Sequence, residues 1–286
     1  MAYALYEDAF GDSRNAQALA CAADYAYLPE AEAVAKFKSD FGMAARLVSA
    51  DNTQAYVCTS DDHIVVAFRG TESPTSIEGL KDWLLTDAVN LLMIPEGRLG
   101  TDLVAAGVAA RFHQGFVNAI AEIWEPVYQA VDGELRKSDR PLWVTGHSLG
   151  GALALLGGWL FHRKMISVHQ IYTFGGPMIG NAEAVAAIDR EFKGKIFRFV
   201  HSPDPVPRLP MMSLIANQYS HCEKEVLVGE GAVGQDLLAP FRTLAGKAVD
   251  GVLNATLIDD VWNDIAARVA AHGMASYRKL IDSLLK

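Results

Sequence analysis

Apolar residues gather into short runs along this chain: HIVVAFRG from His63, RPLWVTGH from Arg140, HQIYTFGG from His169 and KIFRFVHS from Lys195. Runs this short and this apolar belong to strands buried on both faces. Between them lie helix-like segments, from Phe116 to Leu135, from Gly151 to Lys164 and from Ala182 to Phe192. Strand and helix alternating at this spacing predict an α/β architecture, a mainly parallel sheet with helices on both faces. Upstream, Ser13 to Leu28 is Ala-rich and reads as a helix, with Pro29 marking its end. Runs from Met43 and from Ala55, separated by Asp51-Asn52-Thr53, predict a hairpin.

Length and composition then narrow the picture. A chain of 286 residues suits one large domain spanning 1–286, and no repeat or low-complexity tract divides it. A net charge of −9 argues against nucleic-acid binding, because phosphates repel an acidic surface. Cys21, Cys58 and Cys222 are too few and too scattered for a disulfide framework and are expected to be buried thiols. The N-terminus lacks a basic segment followed by an apolar one, and no stretch approaches the roughly 18 apolar residues of a membrane span. The expectation is a soluble chain, either cytoplasmic or secreted with its signal peptide absent. The sequence does not fix its oligomeric state.

The chemistry concentrates at Gly146-His147-Ser148-Leu149-Gly150, a Gly-x-Ser-x-Gly pattern. An apolar strand precedes it and the helix former Ala152-Leu153-Ala154-Leu155-Leu156 follows. That is the setting of a nucleophile elbow. The turn is so sharp that side chains two residues from the serine would collide, so glycines occupy those places and Ser148 is forced into a strained backbone conformation. The following helix aims its first N–H groups at the serine, which makes Leu149 N–H the first candidate oxyanion donor. A donor of this kind contributes about 2.7–4 kcal/mol to the transition state. The simpler reading, a Gly-rich turn with an exposed serine, leaves the flanking strand and helix unexplained.

A serine nucleophile needs a base to take its proton and an acid to orient that base. After such an elbow the acid comes first along the chain and the base second. His63 and His113 are therefore excluded as base. Asp204 follows the run from Lys195 in a loop stiffened by Pro203, Pro205 and Pro207, where a strand end would present it; Asp189 and Glu191 lie in a polar helical stretch. The base is then His221 or His272, and order alone does not choose between them.

In several blocks the chain resembles the class 3 lipases, the family of filamentous-fungal triacylglycerol lipases. These are Phe68-Arg69-Gly70-Thr71, Phe112-His113-Gln114-Gly115-Phe116, Thr145 to Ala154, Thr173-Phe174-Gly175-Gly176-Pro177 with Gly180-Asn181, and Asp204 to Pro210. The resemblance spans about Ile64 to Tyr277 and implies the α/β-hydrolase fold. It also implies Asp204 as triad acid and His272 as base, just before a terminal helix carrying Tyr277. Thr71 would supply a second oxyanion donor. The chain departs from the pattern in having Ala271 where many members place Asp, and His201 where many place Asn.

The resemblance further implies a lid at about 72–111, where Trp83 and neighbouring apolar residues would close over the site in water and open at a lipid–water interface. A buried helix packed on the sheet would show the same pattern. A second apolar segment, about 237–269, reads as a helical insert forming a cap or outer packing. The function implied is a serine carboxylic ester hydrolase, a lipase acting on acylglycerols through an acyl-enzyme, with no cofactor and no metal. Esterase or phospholipase action on short-chain, phospholipid or feruloyl esters is the alternative within the same chemistry. A non-catalytic binding relative would ordinarily lack a triad member. A metal-dependent hydrolase built on His201, Asp204 and His221 lacks close ligand spacing and leaves the elbow without a purpose.

Overall fold

The computed structural model describes residues 3–70, 92–94, 97–208, 219–223, 225–229 and 270–285. Among the described residues seven strands form the central sheet and follow one another across it in chain order. They are β1 (Ala44–Ala50), β2 (Thr53–Thr59), β3 (Ile64–Phe68), β4 (Leu142–His147), β5 (Val168–Phe174), β6 (Ile196–His201) and β7 (Glu225–Val228). The first two pairings are antiparallel, and from β3 to β7 every pairing is parallel. The expected hairpin is present, with Asp51 at a positive φ in its turn.

Six helices matter for the site. They are α1 (Ser13–Tyr25), α2 (Glu30–Phe41), α3 (Gln114–Leu135), α4 (Leu149–Arg163), α5 (Ala182–Glu191) and α6 (Met274–Ser283). The period of two along a strand divides its side chains between two cores. In β3, Ile64, Val66 and Phe68 join the core beneath α3, α4 and α5. Val65 and Ala67 face the other core, built with α1, α2 and α6. Helix α4 is apolar nearly all round and accordingly buried along most of its length. Each of its buried leucines contributes about 1.5–3 kcal/mol relative to exposure. Burial on this scale makes α4 a rigid support for the turn that precedes it.

Two expectations are adjusted. The helix expected over Ser13–Leu28 stops at Tyr25, and Pro29 begins a second helix rather than only ending the first. Proline's fixed φ and missing N–H suit a helix start, where the N–H has no intrahelical partner. Cys21, Cys58 and Cys222 are all buried free thiols, as expected.

Much of the expected lid and all of the 237–269 insert lie outside the described residues, as do Thr71 and Trp83. The tail of the lid segment is described. It forms a 3-10 turn at Gly97–Leu99 and a short helix at Gly100–Val104, with Leu99 and Leu103 buried and Val104 and Val108 exposed. Among the described residues no helix is long and apolar enough to cross a membrane.

Candidate active site

Ser148 joins the end of β4 to the start of α4 with φ 57° and ψ −130°. A non-glycine residue there is strained, and the surrounding structure must hold it. Its N–H donates to Phe174 O at 3.0 Å, and its carbonyl accepts from Gly151 N at 2.9 Å. An added Cβ at Gly146 would overlap the Gly150 carbonyl, and one at Gly150 would overlap the Phe68 carbonyl. The sharp turn expected from the glycine spacing is thus imposed by backbone-to-backbone approach. Leu149 opens α4, so its N–H belongs to the first turn, whose donors have no partner inside the helix.

Asp204 lies beyond the end of β6 and is fully buried. Its Oδ2 accepts from His272 Nδ1 at 2.8 Å and from the Tyr277 hydroxyl at 2.7 Å. Its Oδ1 accepts from Val206 N at 2.9 Å, closing a tight turn in the proline-stiffened loop. With Nδ1–H committed to Asp204, the His272 Nε2 carries the lone pair in the neutral ring. That nitrogen is buried and has no hydrogen-bond partner among the described residues. Gly175 passes close by: a Cβ there would lie 2.9 Å from Asp204 Oδ2 and 3.1 Å from His272 Nδ1.

His221, the other candidate base, points elsewhere. Its Nε2 donates to the carbonyl of Pro207 in the acid loop. Burial, reinforced by the Arg198 guanidinium, pushes its pKa down to about 3. Arg198 itself is buried on β6 and donates to the carbonyls of Cys222 and Glu223, fastening the loop that carries His221. His201 Nδ1 donates to Ala271 O at 2.9 Å. The set of His201, Asp204 and His221 therefore does not converge on a metal. Among the described residues no group of three His, Cys, Asp or Glu side chains is arranged to hold one. His113 caps α3 through its side chain.

Two contributors had no assigned part in the sequence. His147, inside the elbow, donates from Nε2 to the backbone carbonyl of His272 at 2.7 Å. Its Nδ1 lies 2.9 Å from the Tyr27 hydroxyl, which must donate because the other nitrogen holds the proton. Burial first, and the neighbouring His272 second, push the His147 pKa well below the ordinary histidine value. The His147 and His272 ring centroids are 4.5 Å apart, so a neutral His147 spares an imidazolium at His272 a second cation beside it. A histidine in the middle of an apolar strand-to-helix turn was the available signal for His147. Tyr27, just past the end of α1, offered none.

Serine on a strand-to-helix elbow, an Asp–His pair and the carboxyl ends of parallel strands together define an α/β-hydrolase. Residues 65–214 match the model of the class 3 lipases, and the chain belongs to that family. A secreted mono- and diacylglycerol lipase of Fusarium solani is 32% identical over 206 residues, covering 70% of this chain and 54% of its own. A secreted mono- and diacylglycerol lipase of Penicillium camembertii is 30% identical over 165 residues, covering 57% of this chain and 48% of its own. The chain thus spans about half the length of these relatives. In structure, the lipase of Rhizopus microsporus var. chinensis aligns with TM-score 0.57 at 27% identity, over 75% of this chain and 72% of that one. The Lip2 lipase of Yarrowia lipolytica, at 21% identity, shares the fold with TM-score 0.61 over 77% and 80% of the two chains.

Proposed function

We propose that this chain is a serine carboxylic ester hydrolase, a lipase acting on acylglycerols. Ser148 Oγ attacks the ester carbonyl while His272 Nε2 takes its proton. The same imidazole then protonates the departing alcohol, and Asp204 stabilises the imidazolium between the two transfers. Water repeats the sequence on the acyl-enzyme. The developing oxyanion is met by Leu149 N–H and by Thr71, which lies outside the described residues. The observation that carries this reading is the 2.8 Å bond from His272 Nδ1 to a buried Asp204, with the imidazole packed 4.5 Å from the elbow's His147 and its Nε2 unpartnered among the described residues.

Acylglycerols are the preferred substrate because the relatives from Fusarium and Penicillium are named mono- and diacylglycerol lipases. A second reading, phospholipase action, is favoured by a chloroplastic phospholipase A1 of Arabidopsis thaliana, 31% identical over 194 residues. The apolar residues of the segment from about 72 to 111, where the resemblance implies a lid, support action at a lipid surface.

A fluorophosphonate probe is expected to label the wild-type chain and not Ser148→Ala, with ester hydrolysis lost in parallel. Unlabelled wild type and unimpaired Ser148→Ala would refute the enzyme reading. Rates on monoacylglycerol, diacylglycerol and phosphatidylcholine, followed through the solubility limit, separate the two substrate readings. A rate jump at the limit supports the lid, and a smooth preference for short soluble esters replaces lipase with esterase.

A further inference from the structure

The segment that presents His272 is held at two consecutive carbonyls by two other imidazoles. His201, the last residue of β6, donates from Nδ1 to Ala271 O at 2.9 Å. His147, the last residue of β4, donates from Nε2 to His272 O at 2.7 Å. One imidazole thus comes from the strand that leads to the acid, and the other from the strand that leads to the nucleophile. A carbonyl only accepts, so each ring must carry its proton on the nitrogen named, and each ring orientation is thereby fixed.

Neither ring is free to swing. The His147 Nδ1 is occupied by the Tyr27 hydroxyl, and its ring packs against those of His272 and Tyr277 at centroid distances of 4.5 Å and 6.0 Å. The His201 ring meets Tyr277 edge-on at 6.1 Å, and Gly229 leaves it room: a Cβ there would stand 3.2 Å from His201 Cδ2. The His201 backbone N–H donates to the same Tyr277 hydroxyl that binds Asp204. The two positions at which the chain departs from the family pattern, His201 and Ala271, therefore meet in one hydrogen bond.

We propose that His147 and His201 are positioning residues, which set the height and tilt of the His272 imidazole by fixing the backbone carbonyls on either side of its Cα attachment. The inference rests on His272 being the base. A general base works only within hydrogen-bond reach of the proton it takes, and a shift of about 1 Å can cost on the order of a hundredfold in rate. The carbonyl bonds hold the backbone, and the Asp204 bond holds the ring. Together they leave the base little freedom.

The test uses His201→Leu, His201→Asn, His201→Gln, His147→Leu, His147→Gln and His272→Ala, assayed on a water-soluble p-nitrophenyl ester after active-site titration with a fluorophosphonate. Asn sets its amide nitrogen where His Nδ1 stands, and Gln sets its amide nitrogen where His Nε2 stands. His201→Asn and His147→Gln are therefore expected to stay within about threefold of wild type, and His201→Leu and His147→Leu to lose about ten- to a hundredfold in kcat per titrated site with KM unchanged. His201→Gln, misplacing its donor, is expected to fall with His201→Leu, and it serves in place of the leucine variant if that does not fold. If folding alone were damaged, the titre would drop while the rate per titrated site held, and that result overturns the proposal. Equal rates for Asn, Gln and Leu at position 201 overturn it as well. Undiminished hydrolysis by His272→Ala would instead overturn the assignment of the base itself.

Discussion

Tyr277 and His272 converge on one oxygen of Asp204, the tyrosine hydroxyl at 2.7 Å and the imidazole Nδ1 at 2.8 Å. Both side chains come from the last described stretch of the chain, and Asp204 comes from the end of β6, so this oxygen joins the two. A carboxylate with no exposed surface needs such donors, because a buried charge without hydrogen bonds is costly. Burial and the adjacent Asp204 charge push the Tyr277 pKa well above the ordinary tyrosine value, so the hydroxyl keeps its proton and remains a donor. It also accepts from His201 N–H at 3.0 Å, so one hydroxyl satisfies a strand end and a carboxylate together.

Replacing Tyr277 with Phe removes both bonds without changing the ring. The His201 N–H loses its acceptor and Asp204 loses a donor, for an expected loss of about 2–4 kcal/mol in stability. Catalysis should suffer less than stability, since His272 and Val206 still hold the carboxylate. We expect kcat to fall by no more than about tenfold, as a modest shift in the base would give. Urea unfolding and steady-state rates on a soluble ester measure the two effects. An unfolding midpoint equal to wild type would show that the hydroxyl contributes nothing.

Gly175 separates geometry from stability in the other direction. Its φ of +59° makes an alanine there cost about 1–2 kcal/mol in backbone strain. The added Cβ would also press on Asp204 Oδ2 at 2.9 Å and on His272 Nδ1 at 3.1 Å. Gly175→Ala is therefore expected to fold, to bind substrate with unchanged KM and to lose about ten- to a hundredfold in kcat. A variant with wild-type kcat would mean that the Asp–His pair yields without loss of function.

What was legible in the sequence follows from how each feature is encoded. The central strands were readable because burial on both faces leaves continuous apolar runs, as in Ile64 to Phe68. Helix α2 was not, because only Ala33 and Phe37 are buried on it and its charged face hides so thin a stripe. A minor antiparallel sheet of two-residue strands, pairing Phe112 with Met93 and with Gly180, is too short to show a period of two. At the site, the elbow was legible because its glycines answer a steric demand within five residues. The choice between His221 and His272 was not, since it depends on where each ring points across the fold. Tyr27 is the extreme case: it reaches His147 from 120 residues away in sequence, and no local pattern records that.

Histidines that the fold holds neutral also make stability depend on pH with a defined sign. In the unfolded chain His221 takes up a proton near its ordinary value of 6.5, whereas in the folded chain burial and Arg198 delay uptake until about 3. Between these values the unfolded state binds more protons, so stability is fully present above about pH 6.5 and is lost as pH falls toward 3. One such group contributes a slope of about 1.4 kcal/mol per pH unit. His147, pushed down in the same direction by burial, adds to it over a window that also opens near 6.5. His221→Gln keeps a nitrogen donor for the Pro207 carbonyl and removes the titrating ring. Urea unfolding at pH 7, 6, 5 and 4 is expected to show a shallower loss for the variant than for wild type, by about 1.4 kcal/mol per unit between pH 6 and pH 4. Parallel curves would place the acid sensitivity in other groups and remove His221 from the account.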